Sequence, residues 1–99
     1  MIVYNVSIKI EPNIEEEWLQ WMKDKHIPDV LETGIFSGHK FLEITNEEAE
    51  NTYAIQYYCP SIEDLETYFS DFAPKLQEEH SKKYINKFVA FRTIMKEIK

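Results

Sequence analysis

Trp18-Leu-Gln-Trp21-Met22-Lys23-Asp-Lys-His26-Ile27-Pro28-Asp-Val30-Leu31-Glu-Thr-Gly34-Ile-Phe36 is the stretch on which the fold turns. Trp18, Leu19 and Met22 recur at helical spacing, so one face of a helix carries large apolar side chains that need a surface to cover. Pro28 has no backbone N–H to donate and disfavours helical geometry at Ile27. A break near His26-Ile27 is expected, with Pro28 in the first turn of a second short helix and Gly34 ending it. The surface has to come from two β-like segments, Met1–Ile10 before the stretch and Ile35–Thr45 after it.

Upstream, Ile2, Tyr4, Val6, Ile8 and Ile10 alternate with Val3, Asn5, Ser7 and Lys9, which is a strand with one strongly apolar side. Glu11-Pro12 breaks it. Asn13 then reads as a helix N-cap with Glu16 as its capping-box partner. Glu15, Glu16 and Glu17 sit where a helix dipole favours negative charge, with Lys23 and Lys25 near the other end. Three consecutive carboxylates point around a helix rather than converging, so they do not read as a metal site. Downstream, Asn46–Asn51 is a polar hairpin loop and Thr52–Cys59 a tyrosine-rich strand. Ser61 with Asp64 starts a helix whose apolar stripe is Ile62, Leu65 and Phe69. Pro74 resets it into a helix carrying Leu76, His80 and Tyr84, and Lys87–Ile98 is the last strand. The order is β-α-β-β-α-β with both helices interrupted by proline. We expect a single α+β domain over 1–99, an antiparallel ferredoxin-like sheet backed by helices, with the first and third strands central.

The balance of residues narrows the partners. Ninety-nine residues can bury one core without staples, and 43% hydrophobic with 14% aromatic residues argues against disorder. No apolar run approaches the ~18 residues of a membrane span. The N-terminus lacks the pattern of a signal peptide, and a lone Cys59 permits no internal disulfide, so a cytoplasmic location is expected. Net charge is −7, and the first fifty residues carry all of the excess: four Lys against eleven Asp and Glu. The candidates for a basic footprint, Lys82, Lys83 and Lys87, are flanked by Glu78 and Glu79. Neither nucleic acid nor membrane is an expected partner.

With Asn46–Asn51 as the loop, the hairpin pairs Glu43 with Ala54, Phe41 with Gln56 and His39 with Tyr58 on one face. The opposite face pairs Ile44 with Tyr53, Leu42 with Ile55 and Lys40 with Tyr57, and suits the helices together with Tyr4, Val6 and Ile8. In the last strand Val89, Phe91 and Met95 compete with Phe88, Ala90 and Ile94. Setting Val89, Phe91 and Met95 under the helices leaves Arg92 on the open side. The open face then holds Asn5, Ser7, His39, Phe41, Gln56, Tyr58 and Arg92, too aromatic for a wet surface and too polar for a core. A second copy covering it would make a two-fold homodimer with an enclosed cleft. Asn5, His39, Gln56, Tyr58 and Arg92 are the candidate ligand-binding residues. Arg92, with its planar fork, suits a carboxylate from a partner's Glu43 or from a small acidic organic ligand.

Trp18-x-x-Trp21-Met22-Lys23-x-x-His26-Ile27-Pro28-x-Val30, Ala73-Pro74 and Asn86-Lys87-Phe88-Val89-Ala90-Phe91-Arg92-Thr93 resemble a small bacterial family known only as a domain of unknown function. That resemblance covers essentially the whole chain and implies a ferredoxin-like fold but no activity. The element order is also similar, more distantly, to the dimeric α/β-barrel superfamily of small monooxygenases, haem-degrading enzymes and ligand-sensing domains. Haem-degrading members use an Asn on the first strand, a Trp on the third and a His on the last helix. Asn5 and His80 match the first and last, but the third strand offers Tyr57 and Tyr58 and no Trp.

The remaining chemistry is weighed against plain structure. His26 beside the break reads first as a partner for a freed carbonyl and second as an acid or base. His39 is a candidate general base or an exposed edge residue, and His80 reads as a satisfied core histidine. The histidines lack zinc spacing, and neither metal nor cofactor is expected. Cys59 reads as a small buried residue rather than a nucleophile. No catalytic residue is assigned. The expected function is a non-enzymatic small-molecule-binding or protein-interaction domain using the sheet-face cleft of a homodimer. The alternative is a small monooxygenase-like or haem-linked oxidoreductase.

Overall fold

The alternating residues of the first strand, β1 (Ile2–Ile10), pair on both sides, antiparallel to β3 (Thr52–Cys59) and to β4 (Phe88–Lys96). β2 (Gly38–Glu43) adds to the far side of β3, giving the sheet order β2-β3-β1-β4 with the first and third strands central, as expected. This is a computed structural model and describes Met1–Lys99. Helices α1 (Glu15–Trp21), α2 (Ile27–Glu32), α3 (Ile62–Asp71) and α4 (Ala73–Lys83) lie in the two connections and pack on one face of the sheet, so the architecture is a ferredoxin-like α+β fold. None of them is long and apolar enough to cross a membrane.

The first connection does not break at the proline. Residues Met22–His26 between α1 and α2 form a π turn, and His26 keeps helical angles, φ −67° and ψ −52°. Pro28 leaves the fourth carbonyl behind it without a donor, and the ladder widens to absorb this: the Ile27 N–H reaches back five residues to the Met22 carbonyl. Gly34 does end the helix, at φ +80°, with its N–H on the Leu31 carbonyl at 3.2 Å. The expected Asn13 cap is also corrected. Pro12 starts helical geometry early, Pro12–Ile14 is a 3₁₀ turn, and Ile14 takes the cap position of α1 with no side-chain bond. Ser61 caps α3 as read, its hydroxyl accepting the Asp64 N–H at 3.2 Å.

Packing under the helices corrects the register of β2 by one residue. Glu43 faces Tyr53, Phe41 faces Ile55 and His39 faces Tyr57. A slip of one flips every side chain to the other side. The gain is visible in Phe41, whose ring meets Trp18 and Tyr53 at centroid distances of 5.9 Å each. The face of β4 is corrected as well. Arg92 pairs with Val6 and Ala90 with Ile8, so Phe88, Ala90, Arg92 and Ile94 are on the helix side, and Val89, Phe91, Thr93 and Met95 on the open side. Trp18, fully enclosed, is the anchor of the core together with Tyr4, Ile10, Met22, Ile55 and Leu65.

Candidate functional site

β4 is an edge strand and the helices cover it incompletely. Phe88 and Ala90 are half-buried under α4, whereas Arg92 and Ile94, further along the same side, are exposed. A pocket opens where the helix layer stops. Its floor is Tyr4, Val6, Ile55, Tyr57 and Ala90 of the sheet, its walls are Met22, His26 and Val30 from the π turn and α2, Tyr68 of α3, and Gln77, His80 and Ser81 of α4, and Arg92 stands among them. The enclosed part measures about 40 Å³, room for a few water molecules, and the unfilled space out to the mouth about 480 Å³.

Each polar group arrives for a local reason. Gln77 and His80 are three apart on α4 and share its inner side. His26 is the last residue of the π turn, where the widened helix carries its ring against Trp21, 5.3 Å between centroids, and to within 5.5 Å of His80. The Nε1–H of Trp18 donates to Nε2 of His80 at 3.0 Å, a bond wholly inside the protein. The Nδ1 of His26 is buried and makes no hydrogen bond.

Burial sets the charge state. His26 is pushed down to about 4 by burial, with Asp29 opposing the shift and Lys25 and Arg92 adding to it. His80 is pushed down to about 3 by burial, then by His26 and Arg92. Burial raises the Tyr4 phenol, against the opposing pull of the neighbouring Arg92 and Gln77, and raises Tyr57 and Tyr68 too. At neutral pH the pocket therefore holds two neutral imidazoles, protonated phenols and one cation. That cation, the only arginine of the chain, takes part in none of its ion pairs. The carboxylates that do form ion pairs, Asp29 with Lys25, Glu78 with Lys82, Glu17 with Lys83 and Glu11 with Lys87, all pair with lysines.

The five candidate ligand-binding residues do not gather on one face. Asn5, Gln56 and Tyr58 share the open side, where the Asn5 amide donates to Ser7 at 2.9 Å and the Tyr58 hydroxyl to Gln56 at 3.3 Å. His39 lies on the helix side of the β2 edge and is exposed, and Arg92 lies in the pocket. Asn5 and His80 are separated by the sheet itself, so they do not face one haem, and the enclosed part of the cavity is far smaller than that group. Tyr4, Tyr68 and Gln77 line the pocket without being singled out by the sequence. Their only sequence signal is alternation in β1 and the spacing to His80, which a plain core produces equally. Cys59 is buried, with its thiol donating weakly to the Ser61 carbonyl, and burial raises it. No three His, Cys, Asp or Glu side chains gather as a metal site.

Solved structures with this fold are numerous. An ethyl tert-butyl ether D family protein from Bacillus halodurans aligns at TM-score 0.70 and 16% identity, covering 99% of this chain and 100% of that one. SnoaB, a cofactor-independent oxygenase from Streptomyces nogalater, aligns at 0.69 and 9%, covering 99% and 93%. A dimeric ferredoxin-like protein from an uncultured marine organism aligns at 0.67 and 9%, covering 98% and 96%. At such identities the likeness is one of fold. No curated protein matches the chain. The family described as a domain of unknown function, DUF4286, matches residues 1–98, and the chain belongs to it.

Proposed function

We propose that the chain is a homodimeric small-molecule-binding domain whose ligand, a small organic acid, enters the pocket between sheet and helices at Arg92. One observation carries this reading: the single arginine stands without a carboxylate partner among the walls of a cavity whose other polar groups are uncharged. An arginine in that setting offers a planar fork to an anion, and the low-dielectric walls strengthen the attraction. The small enclosed volume suits a compact carboxylate head, with any larger remainder at the mouth. Thermal denaturation against a panel of acetate, pyruvate and benzoate tests it. At least one acid should raise the melting temperature of the wild type, and Arg92→Met should abolish the rise while leaving the fold intact. An equal rise in the variant, or none in the wild type, removes the reading.

The second copy belongs on the open side of the sheet. Val89, Phe91 and Met95 line it along β4 and Leu42 along β2, all exposed in the single chain, with Phe91 69% exposed. A patch of large apolar side chains on one sheet face favours burial against its own copy about a two-fold axis. The dimeric neighbour of the same fold is consistent with that arrangement.

A second reading is supported by His26. The neutral His26 imidazole, beside the cavity with Nδ1 free of partners, is a candidate acceptor for a proton from an enol or phenol, although burial, which holds it down to about 4, makes it a weak base. A cofactor-independent oxygenase is among the neighbours. Oxygen uptake with an electron-rich phenol, lost in His26→Phe, would favour this enzyme over a binding domain.

A further inference from the structure

We propose that Trp18 fixes the ring proton of His80 on Nδ1, and that His80 thereby acts on the ligand as a hydrogen-bond donor and not as a base. The donor half rests on the small-acid reading above; the proton half rests on geometry alone. An indole N–H can only donate. At 3.0 Å from Nε2 of His80, inside the protein, it requires a lone pair on that nitrogen. A neutral imidazole with Nε2 accepting carries its proton on Nδ1.

Neither partner can turn away. Trp18 is fully enclosed, its ring 5.4 Å from Tyr53 and 5.9 Å from Phe41. His80 is gripped edge-on by Phe88 at a centroid distance of 4.3 Å and flanked by Trp21 and Tyr84 at 5.7 and 5.6 Å. A second proton on His80 would set two N–H groups against each other in the core. Trp18 does not itself line the cavity and reaches it only through His80, so it is a positioning residue. Its effect is on selectivity. With His80 a donor, the Tyr4 and Tyr68 phenols protonated, and Arg92 as the one charge, the pocket favours an oxygen that accepts several hydrogen bonds. A carboxylate does so. An amine or a guanidinium does not.

Nitrogen-15 correlation spectra of the imidazole rings read the proton directly. In the free wild type at neutral pH, His80 should show a protonated Nδ1 and an unprotonated Nε2, and acetate should shift the Nδ1 signal. Trp18→Phe should let the proton distribute over both nitrogens and weaken acetate binding about two- to five-fold, the population cost of returning the proton to Nδ1. His80→Asn, which keeps a donor near the Nδ1 position, should recover part of the affinity that His80→Leu loses. A protonated Nε2 in the free wild type overturns the proposal whether or not the variants fold. Acetate that binds without moving Nδ1 overturns its donor half. If no acid binds while Nδ1 is protonated as stated, it is the small-acid reading that falls.

Discussion

Trp18 links stability and chemistry in one side chain. Its ring fills the space between α1 and the sheet, and replacing it leaves a cavity that neighbours as large as Phe41 and Tyr53 cannot close. Trp18→Ala should lower the unfolding free energy by about 3–5 kcal/mol in urea denaturation; a loss under about 1 kcal/mol would contradict its place in the core. The histidines make a second claim at this scale. His26 and His80 are held at about 4 and about 3, whereas in the unfolded chain they titrate near 6.5. Below pH 6.5 the unfolded state takes up protons that the folded state refuses. Stability is thus full above that pH and declines as pH falls toward the folded values. The unfolding free energy should drop between pH 7 and pH 5, by about 2 kcal/mol for each histidine, lowering the denaturation midpoint, and His80→Leu should flatten the slope. A midpoint level across that range would contradict their burial in neutral form. Trp18 was legible because helical spacing exposes it. The orphaned Nδ1 of His26 was not, because Pro28 announces a break and not the π turn that absorbs it.

Among elements, the helix stop after α2 and the reset at Pro74 were readable, since glycine and proline act through their own backbone limits, whereas the break expected near His26-Ile27 is absorbed in a π turn. Gly34 stands at φ +80° with open space around the position of a Cβ, so Gly34→Ala should cost about 1 kcal/mol from backbone strain alone. A neutral result in thermal denaturation would contradict the left-handed stop. The faces of β2 and β4 were not readable, for two different reasons. β2 leaves the ladder at Glu43, and the register depends on a loop whose path is set by the Ile44 N–H reaching the Thr52 carbonyl at 2.9 Å. β4 is apolar on both sides, so alternation cannot choose between Phe91 and Ala90. The pairing of Val6 with Arg92 chooses, and only the assembled sheet contains it. That choice moves Arg92 from the expected cleft into the pocket. Asn5, Gln56 and Tyr58, on strands whose faces were read correctly, remain together on the other side.

At the scale of the whole molecule the two faces of the sheet have separate tasks: one builds the pocket, the other offers the apolar surface of Val89, Phe91 and Met95. The chain should sediment as a dimer at micromolar concentration. Phe91→Glu should give a folded monomer, because it places charge in the middle of that surface without touching the core. A wild-type monomer under those conditions would leave the open face without its expected cover. The pocket is the central claim, and a titration of backbone amide resonances with acetate tests it most directly. The account predicts saturable shifts at His26, Tyr68, Gln77, His80 and Arg92, with Asn5, Gln56 and Tyr58 unmoved. Shifts confined to the open face, or the same shifts in Arg92→Met, would contradict it.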